Sequence, residues 1–160
     1  MIVRKEPGGT TMLVGQTDHS RLVGQFAAHW GNERFERPRP FDSVVRAATF
    51  HDFGWLRYET SPMLDEASGE PANFLQIPST PTQLDAYQWC IDWLNEIDPY
   101  AGLIAGMHRT GLWRERYGAI AHPDITIKYS NPDIEGFIAR NEVLQTGARK
   151  PLDDHEVRIN

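Results

Sequence analysis

The stretch Phe50-His51-Asp52-Phe53-Gly54-Trp55 sets two metal-capable side chains side by side at the end of an apolar helical run. Neighbouring residues on a helix point about 100° apart. His51 and Asp52 therefore meet at one point only inside a crevice between helices, with further ligands arriving from other elements. The fold must supply that crevice, and the rest of the chain can be searched for polar residues on inward helical faces.

Apolar stripes at helical spacing recur along the chain. Residues 1 to 15 read as a small β-hairpin, with Ile2 and Val3, a turn at Pro7-Gly8-Gly9 and a return from Thr10 to Val14. A lone hairpin is marginal, so it must pack on something. The first helix is expected from Thr17 or Asp18 to Trp30, with Gly31 as its stop. His19, Leu22, Val23, Phe26 and Trp30 fall on one face of it, and Asp18, Leu22, Gln25 and His29 on the flank, where an Asp18–His29 pair is expected. The second helix starts near Asp42 or Ser43 and carries Val44, Ala48, His51 and Trp55 as its stripe, with Gly54 ending or bending it.

Residues 58 to 80 lack a helical period and read either as a lid or binding loop or as a surface excursion. Thr80-Pro81 then opens a helix that is apolar on two sides, Leu84, Tyr87, Ile91 and Leu94 on one and Ala86, Cys90, Trp93 and Ile97 on the other. This should be the central helix. Asp98-Pro99 repeats the signal at once, and the next helix carries Ala101, Ile104, Ala105, His108 and Leu112 on one face. Ile125-Thr126-Ile127 reads as strand or loop. Asn131-Pro132 opens a helix with Ile134, Phe137, Ile138 and Leu144 inward, ended by Gly147 and Pro151. Asp153 or Asp154 caps a last helix that stops at Asn160, as though cut short.

The whole is expected to be one mainly α-helical domain, residues 1–160, with a small N-terminal hairpin. A chain of 160 residues, 40% hydrophobic and 24% charged, can bury a sizeable core. A net charge of −6 argues against binding a nucleic-acid polymer. The single Cys90 excludes an internal disulfide and fits a reducing compartment, and the N-terminus has no signal-peptide core. No apolar run reaches membrane-spanning length. A cytoplasmic protein with no membrane partner is expected, and a homo-oligomer is compatible with the sequence.

His19, His51 and His108 each lie on the inner face of a different expected helix, with Asp52 beside one. Burying three imidazoles and a carboxylate separately is costly, and gathering them round a cation removes much of the cost. The opposing reading keeps each as a core polar residue bonded to a carbonyl. His29, His122 and His155 lie outside this pattern. Cys90 reads as a small core residue, Trp55 as either core or the mouth of the site, and Arg109, in a turn Arg109-Thr110-Gly111, as either a phosphate ligand or an exposed helix-end cation. No phosphate-cradling Gly loop, His-Glu-x-x-His, paired-cysteine motif or nucleophile elbow is present.

His19-Ser20-x-x-Val23 followed by Val45-x-x-Ala48-x-x-His51-Asp52-x-Gly54 resembles the opening of the HD-domain metal-dependent phosphohydrolases. Asp18-His19 after a hairpin, His51-Asp52-x-Gly54-Trp55 and Met107-His108 resemble more closely a bacterial subgroup of that type, domain of unknown function 3891, over roughly residues 1 to 130. The resemblance implies an HD-like helical bundle. It implies one or two divalent metals held by His19, His51 and Asp52, with His108 as the added histidine of two-metal members. It also implies a final Asp from a later helix. Asp124, Asp133, Asp153 and Asp154 are available, but none sits mid-helix on an apolar stripe.

The function expected on these grounds is metal-dependent hydrolysis of a small phosphorylated substrate, a phosphomonoester or phosphodiester. Asp52 and His108 would take part in the chemistry, and Arg109 and Trp55 would hold substrate. Histidine and carboxylate ligands without thiolate suit Mn, Fe, Ni, Co or Zn alike. The rivals are a non-catalytic metal- or ligand-binding module of the same fold and a helical interaction protein whose histidines are structural.

Overall fold

The computed structural model describes residues 1–75, 77, 79–114 and 131–149. Strands β1 (Ile2–Lys5) and β2 (Thr11–Val14) form the expected antiparallel hairpin, Ile2 opposite Val14 and Lys5 opposite Thr11. Gly8 and Gly9 turn it with φ of 95° and 85°, a region that favours glycine. Seven further elements follow among the described residues: α1 (Gln16–Ala28), α2 (Phe41–Phe50), a 3₁₀ turn (Phe53–Trp55) running into α3 (Leu56–Glu59), α4 (Pro81–Ile97), α5 (Pro99–Trp113) and α6 (Pro132–Arg149).

The central helix is α4. Its Thr80 hydroxyl accepts from the Gln83 amide, and Pro81 fills the first turn, where no amide is needed. Trp55, Leu84, Tyr87, Ile91, Trp113, Ile134, Phe137 and Ile138 form one buried cluster against it, and Ala47, Cys90, Leu94, Ala101 and Ala105 form another. Asp98 ends α4 and starts α5 by accepting from the Tyr100 and Ala101 amides. The Asn131 side chain caps α6 through the Ile134 amide. Polar contacts fasten α6, among them Asn141 to Gln88, Gln145 to Thr110, and Arg114 to Glu135.

Several expectations are corrected. Helix α1 begins at Gln16 with no side-chain cap of its own, and Gly31 lies two residues past its C-cap, His29. The inward residues of α1 are Gln16, Thr17, Ser20 and Gly24, whereas Leu22, Phe26 and Trp30 are more than half exposed. Small side chains bring α1 onto α2: a Cβ at Gly24 would lie 2.9 Å from the Thr49 Cα. Asp18 pairs with Arg21, and the His29 ring bonds the Gln25 carbonyl, so the Asp18–His29 pair does not form. Helix α2 starts at Phe41, behind Pro40, and neither Asp42 nor Ser43 caps it. Residues Arg109, Thr110 and Gly111 are helical rather than a turn, and Leu144 and Ile97 are exposed. Helix α6 runs through Gly147 to Arg149.

The segment after α3 is pinned. Leu64 bridges Pro71, the Phe74 amide donates to the Met1 carbonyl at 2.8 Å, Asn73 donates to the Val3 carbonyl, and Phe74 and Ile77 pack on the core. It is the shelf on which the hairpin rests. Ile125-Thr126-Ile127, His122, Asp124 and the chain from residue 150 on, with Asp153, Asp154 and His155, lie outside the described residues. No described helix is long and apolar enough to cross a membrane.

Candidate metal centre

The α2 helix ends one residue before His51, which serves as its C-cap, and Asp52 opens the 3₁₀ turn. The bend places both side chains on the same side. Gly54 allows it, because a Cβ there would come 2.5 Å from the Ala86 carbonyl oxygen of α4. The His51 Nδ1–H donates to the Ala48 carbonyl at 2.8 Å. A carbonyl only accepts, so this bond puts a proton on Nδ1; in the neutral ring Nε2 then carries the lone pair. That nitrogen stands 3.4 Å from the Asp52 carboxylate, and both side chains are nearly buried.

His19 reaches the same point from the first turns of α1. Its ring meets that of His51 edge-on, with centroids 5.7 Å apart. One ligand atom each from His19, His51 and Asp52 fall within 4.8 Å of one another. His108, on α5, packs its ring edge-on against His51 at 4.6 Å between centroids, but it is not one of that group of three. The expected four-membered cluster is thus a set of three with a fourth ring beside it.

Burial, and then the nearby His51, hold His108 down at a pKa of about 4 against an ordinary 6.5, with Asp52 pulling the other way. His19 is lowered for the same reasons in the same order. Both rings are neutral at physiological pH, the form that binds metal.

Two supporting groups escaped the sequence reading. Glu59, at the end of α3, takes the place of a cap for α1. Its carboxylate accepts from the Gln16 and Thr17 amides and from the Thr17 hydroxyl at 2.9 Å, and the Met1 amino group lies 3.6 Å away. It fixes the helix end that carries His19, and nothing in the local pattern around Glu59 announces that role. The Ala48 carbonyl was findable, since a histidine at a helix end commonly bonds a carbonyl one turn back.

The remaining site candidates fall elsewhere. Trp55 is 3% exposed and packs on Tyr58, Phe74 and Tyr87 as part of the core. The Arg109 guanidinium lies over the Tyr87 ring, 3.4 Å from its centre, and 4.9 Å from that of Trp113. Asp133 is exposed in the first turn of α6 and does not join the three ligands. The Cys90 thiol donates to the Phe50 carbonyl, and burial pushes its pKa up to about 11.

The residues fit a cation. With the His51 ring neutral, Nε2 and the Asp52 oxygen face each other as two acceptors, an arrangement that a proton or a cation between them relieves. The histidine's other nitrogen is tied to a carbonyl, as in metal-bound imidazoles. No thiolate is near, so the donor set is borderline to hard.

A family model described as "Protein of unknown function (DUF3891)" matches residues 1–160, and the chain belongs to that family. No curated protein and no solved structure matches it.

Proposed function

We propose that the chain is a metal-dependent phosphohydrolase of HD-like type, acting on a small phosphate ester. The observation that carries this reading is the meeting of His51 Nε2 and the Asp52 carboxylate at 3.4 Å, with His51 Nδ1 held by Ala48 and His19 completing the group. His19, His51 and Asp52 would hold a divalent ion, and Asp52, having two oxygens, would bridge two. Three protein ligands leave coordination positions open, as catalytic sites require. When bound, such an ion lowers the pKa of a coordinated water and polarises a phosphoryl oxygen.

The chain's own residues supply the rest. Ala48 fixes the His51 ring and its tautomer. Glu59 holds the end of α1 and so the position of His19. His108 presents a neutral imidazole beside His51, able to hydrogen-bond a substrate oxygen. Arg109 follows His108 on α5 and supplies the nearest argument for a phosphate ligand, although its guanidinium is stacked on aromatic rings.

The second reading, a non-catalytic metal-binding module, is favoured by one observation: no carboxylate from a later helix joins the three ligands among the described residues. Metal analysis of the purified protein, followed by assays with p-nitrophenyl phosphate and bis-p-nitrophenyl phosphate after loading with Mn, Fe, Ni, Co or Zn in turn, tests both. Metal with turnover supports the hydrolase. Metal without turnover on any ester supports the binding module, and no bound metal under any loading condition removes both.

A further inference from the structure

The outer face of α1 is left uncovered by the described residues. Leu22, Phe26 and Trp30 recur every four residues and are 53%, 63% and 55% exposed. Phe35, 55% exposed, extends the row, because its ring packs on that of Trp30 with centroids 5.7 Å apart. The loop that carries Phe35 is held in place. The Asn32 side chain accepts from the Arg34 and Phe35 amides, and the Asn32 amide donates to the Phe35 carbonyl. None of the four apolar residues belongs to either buried cluster. Helix α1 meets α2 through its opposite face, at Gly24.

The size of the row bears on what covers it. An aromatic side chain offers about 150–250 Å², so the exposed parts of Phe26, Trp30 and Phe35, with Leu22, amount to about 300–500 Å². A contiguous patch of about that size matches the largest on a typical monomer and commonly marks an interaction site. A standard interface takes about 800 Å² from each partner, a little over half of it non-polar. The row thus supplies about the whole apolar share of one side.

The charge pattern points to a second copy of the chain. From Leu22 to Trp30 there is no Asp, Glu, Lys or Arg, as in the core of an interface. Charge stands at the two ends. Asp18 lies one turn before Leu22, and Arg34, Arg37 and Arg39, with Glu33 and Glu36, follow Trp30. Antiparallel packing about Phe26 sets the partner's Leu22 against Trp30, where a hollow of about 340 Å³ opens among Trp30, Phe35 and Arg37. It also brings the partner's Asp18 to the arginine-bearing end. A two-fold contact of this kind closes on itself. We infer that the chain forms a homodimer in which the Leu22, Phe26, Trp30 and Phe35 row packs antiparallel on the same row of a second copy. The dimer needs no metal, so it can be tested with chelator present, and its failure is separate from failure of the phosphohydrolase reading.

The test is sedimentation equilibrium of the full chain in EDTA at about 1 to 100 µM. A mass of twice the 18.3 kDa of one chain is expected at the upper end. Phe26→Glu puts a charge in the middle of the row and should weaken association about thirtyfold or more. Val143→Glu, the same charge on a residue of α6 that is 73% exposed, should leave association unchanged. Gln25→Cys, exposed on the same face as Phe26, should be joined to its copy by a short bis-maleimide, and Val143→Cys should not. Cys90 is buried and does not compete for the reagent. A monomer at every concentration, a dimer that Phe26→Glu does not weaken, or a dimer without the Gln25→Cys link each overturns the proposal. Circular dichroism checks that the variants fold. Should Phe26→Glu unfold, Trp30→Ser, past the end of α1, decides in its place.

Discussion

His51 Nε2 lies 3.4 Å from the Asp52 carboxylate while the opposite nitrogen of the same ring donates to the Ala48 carbonyl. The ring cannot turn without losing that bond, so Nε2 stays aimed where the carboxylate is. If a cation completes this pair, His51→Ala and Asp52→Asn should each lower bound metal to a small fraction of the wild-type content. His29→Ala should leave it unchanged, because His29 is exposed and bonds only within its own helix. Elemental analysis of the three variants at matched protein concentration is the measurement, and equal loss in all three would mean that the metal sits elsewhere.

At Gly24 the backbone of α1 lies close against Thr49 of α2. A methyl group there would lie 2.1 Å from the Thr49 hydroxyl and 2.9 Å from its Cα. Gly24→Ala should therefore destabilise by about 1–3 kcal/mol, since overpacking outweighs a gain in helix propensity of about 1 kcal/mol. It should weaken metal binding as well, because α1 carries His19 and α2 leads into His51. Gly136, in α6, has open space at the same point. Gly136→Ala should raise stability by about 0.5–1 kcal/mol through propensity alone. Thermal melts of the two variants ought to shift in opposite directions.

Glu59 replaces the missing cap of α1 from forty-odd residues away in sequence. Glu59→Ala removes the acceptor for the Gln16 and Thr17 amides and for the Thr17 hydroxyl. Losing a helix cap typically costs about 1 kcal/mol, and more where the orphaned donors are buried. Amide exchange should speed up first in residues 16 to 20. Unchanged protection there, with the same melting temperature, would show that solvent caps the helix just as well.

What the sequence disclosed follows from how local each signal is. Thr80-Pro81 and Asp98-Pro99 start α4 and α5 as read, because a cap and a proline act within one turn. The two apolar sides of α4 are buried, apart from Trp93, which is half-buried, and Ile97 at its end. Helix α1 was read with the wrong face inward. Its apolar stripe of Leu22, Phe26 and Trp30 is exposed, and the inward face is Gln16, Thr17, Ser20 and Gly24. Hydrophobic periodicity cannot register a close approach made through small residues, nor polar groups satisfied by distant partners. Ser20 bonds the Thr17 carbonyl, and the amides go to Glu59. His19, expected as the first member of that exposed stripe, still reaches His51 and Asp52. The turn expected at Arg109-Thr110-Gly111 is part of α5, which continues to Trp113, packed in the core.

The last expectation concerns acid. In the metal-free protein, His108 is held at a pKa of about 4 by burial and by His51, against 6.5 when exposed. Between these two values the unfolded chain binds a proton that the folded chain does not, so stability rises with pH in that window. The contribution of His108 is fully present above pH 6.5 and is lost as pH falls towards 4. A shift of this size corresponds to up to about 3 kcal/mol. His19 is lowered too and adds in the same direction. Urea titrations in EDTA should therefore show stability falling from pH 7 to pH 4.5, with the fall reduced in His108→Gln. Whatever the variant's stability at pH 7, its slope should be shallower. A variant slope equal to that of the wild type would place the acid-sensitive proton on another group.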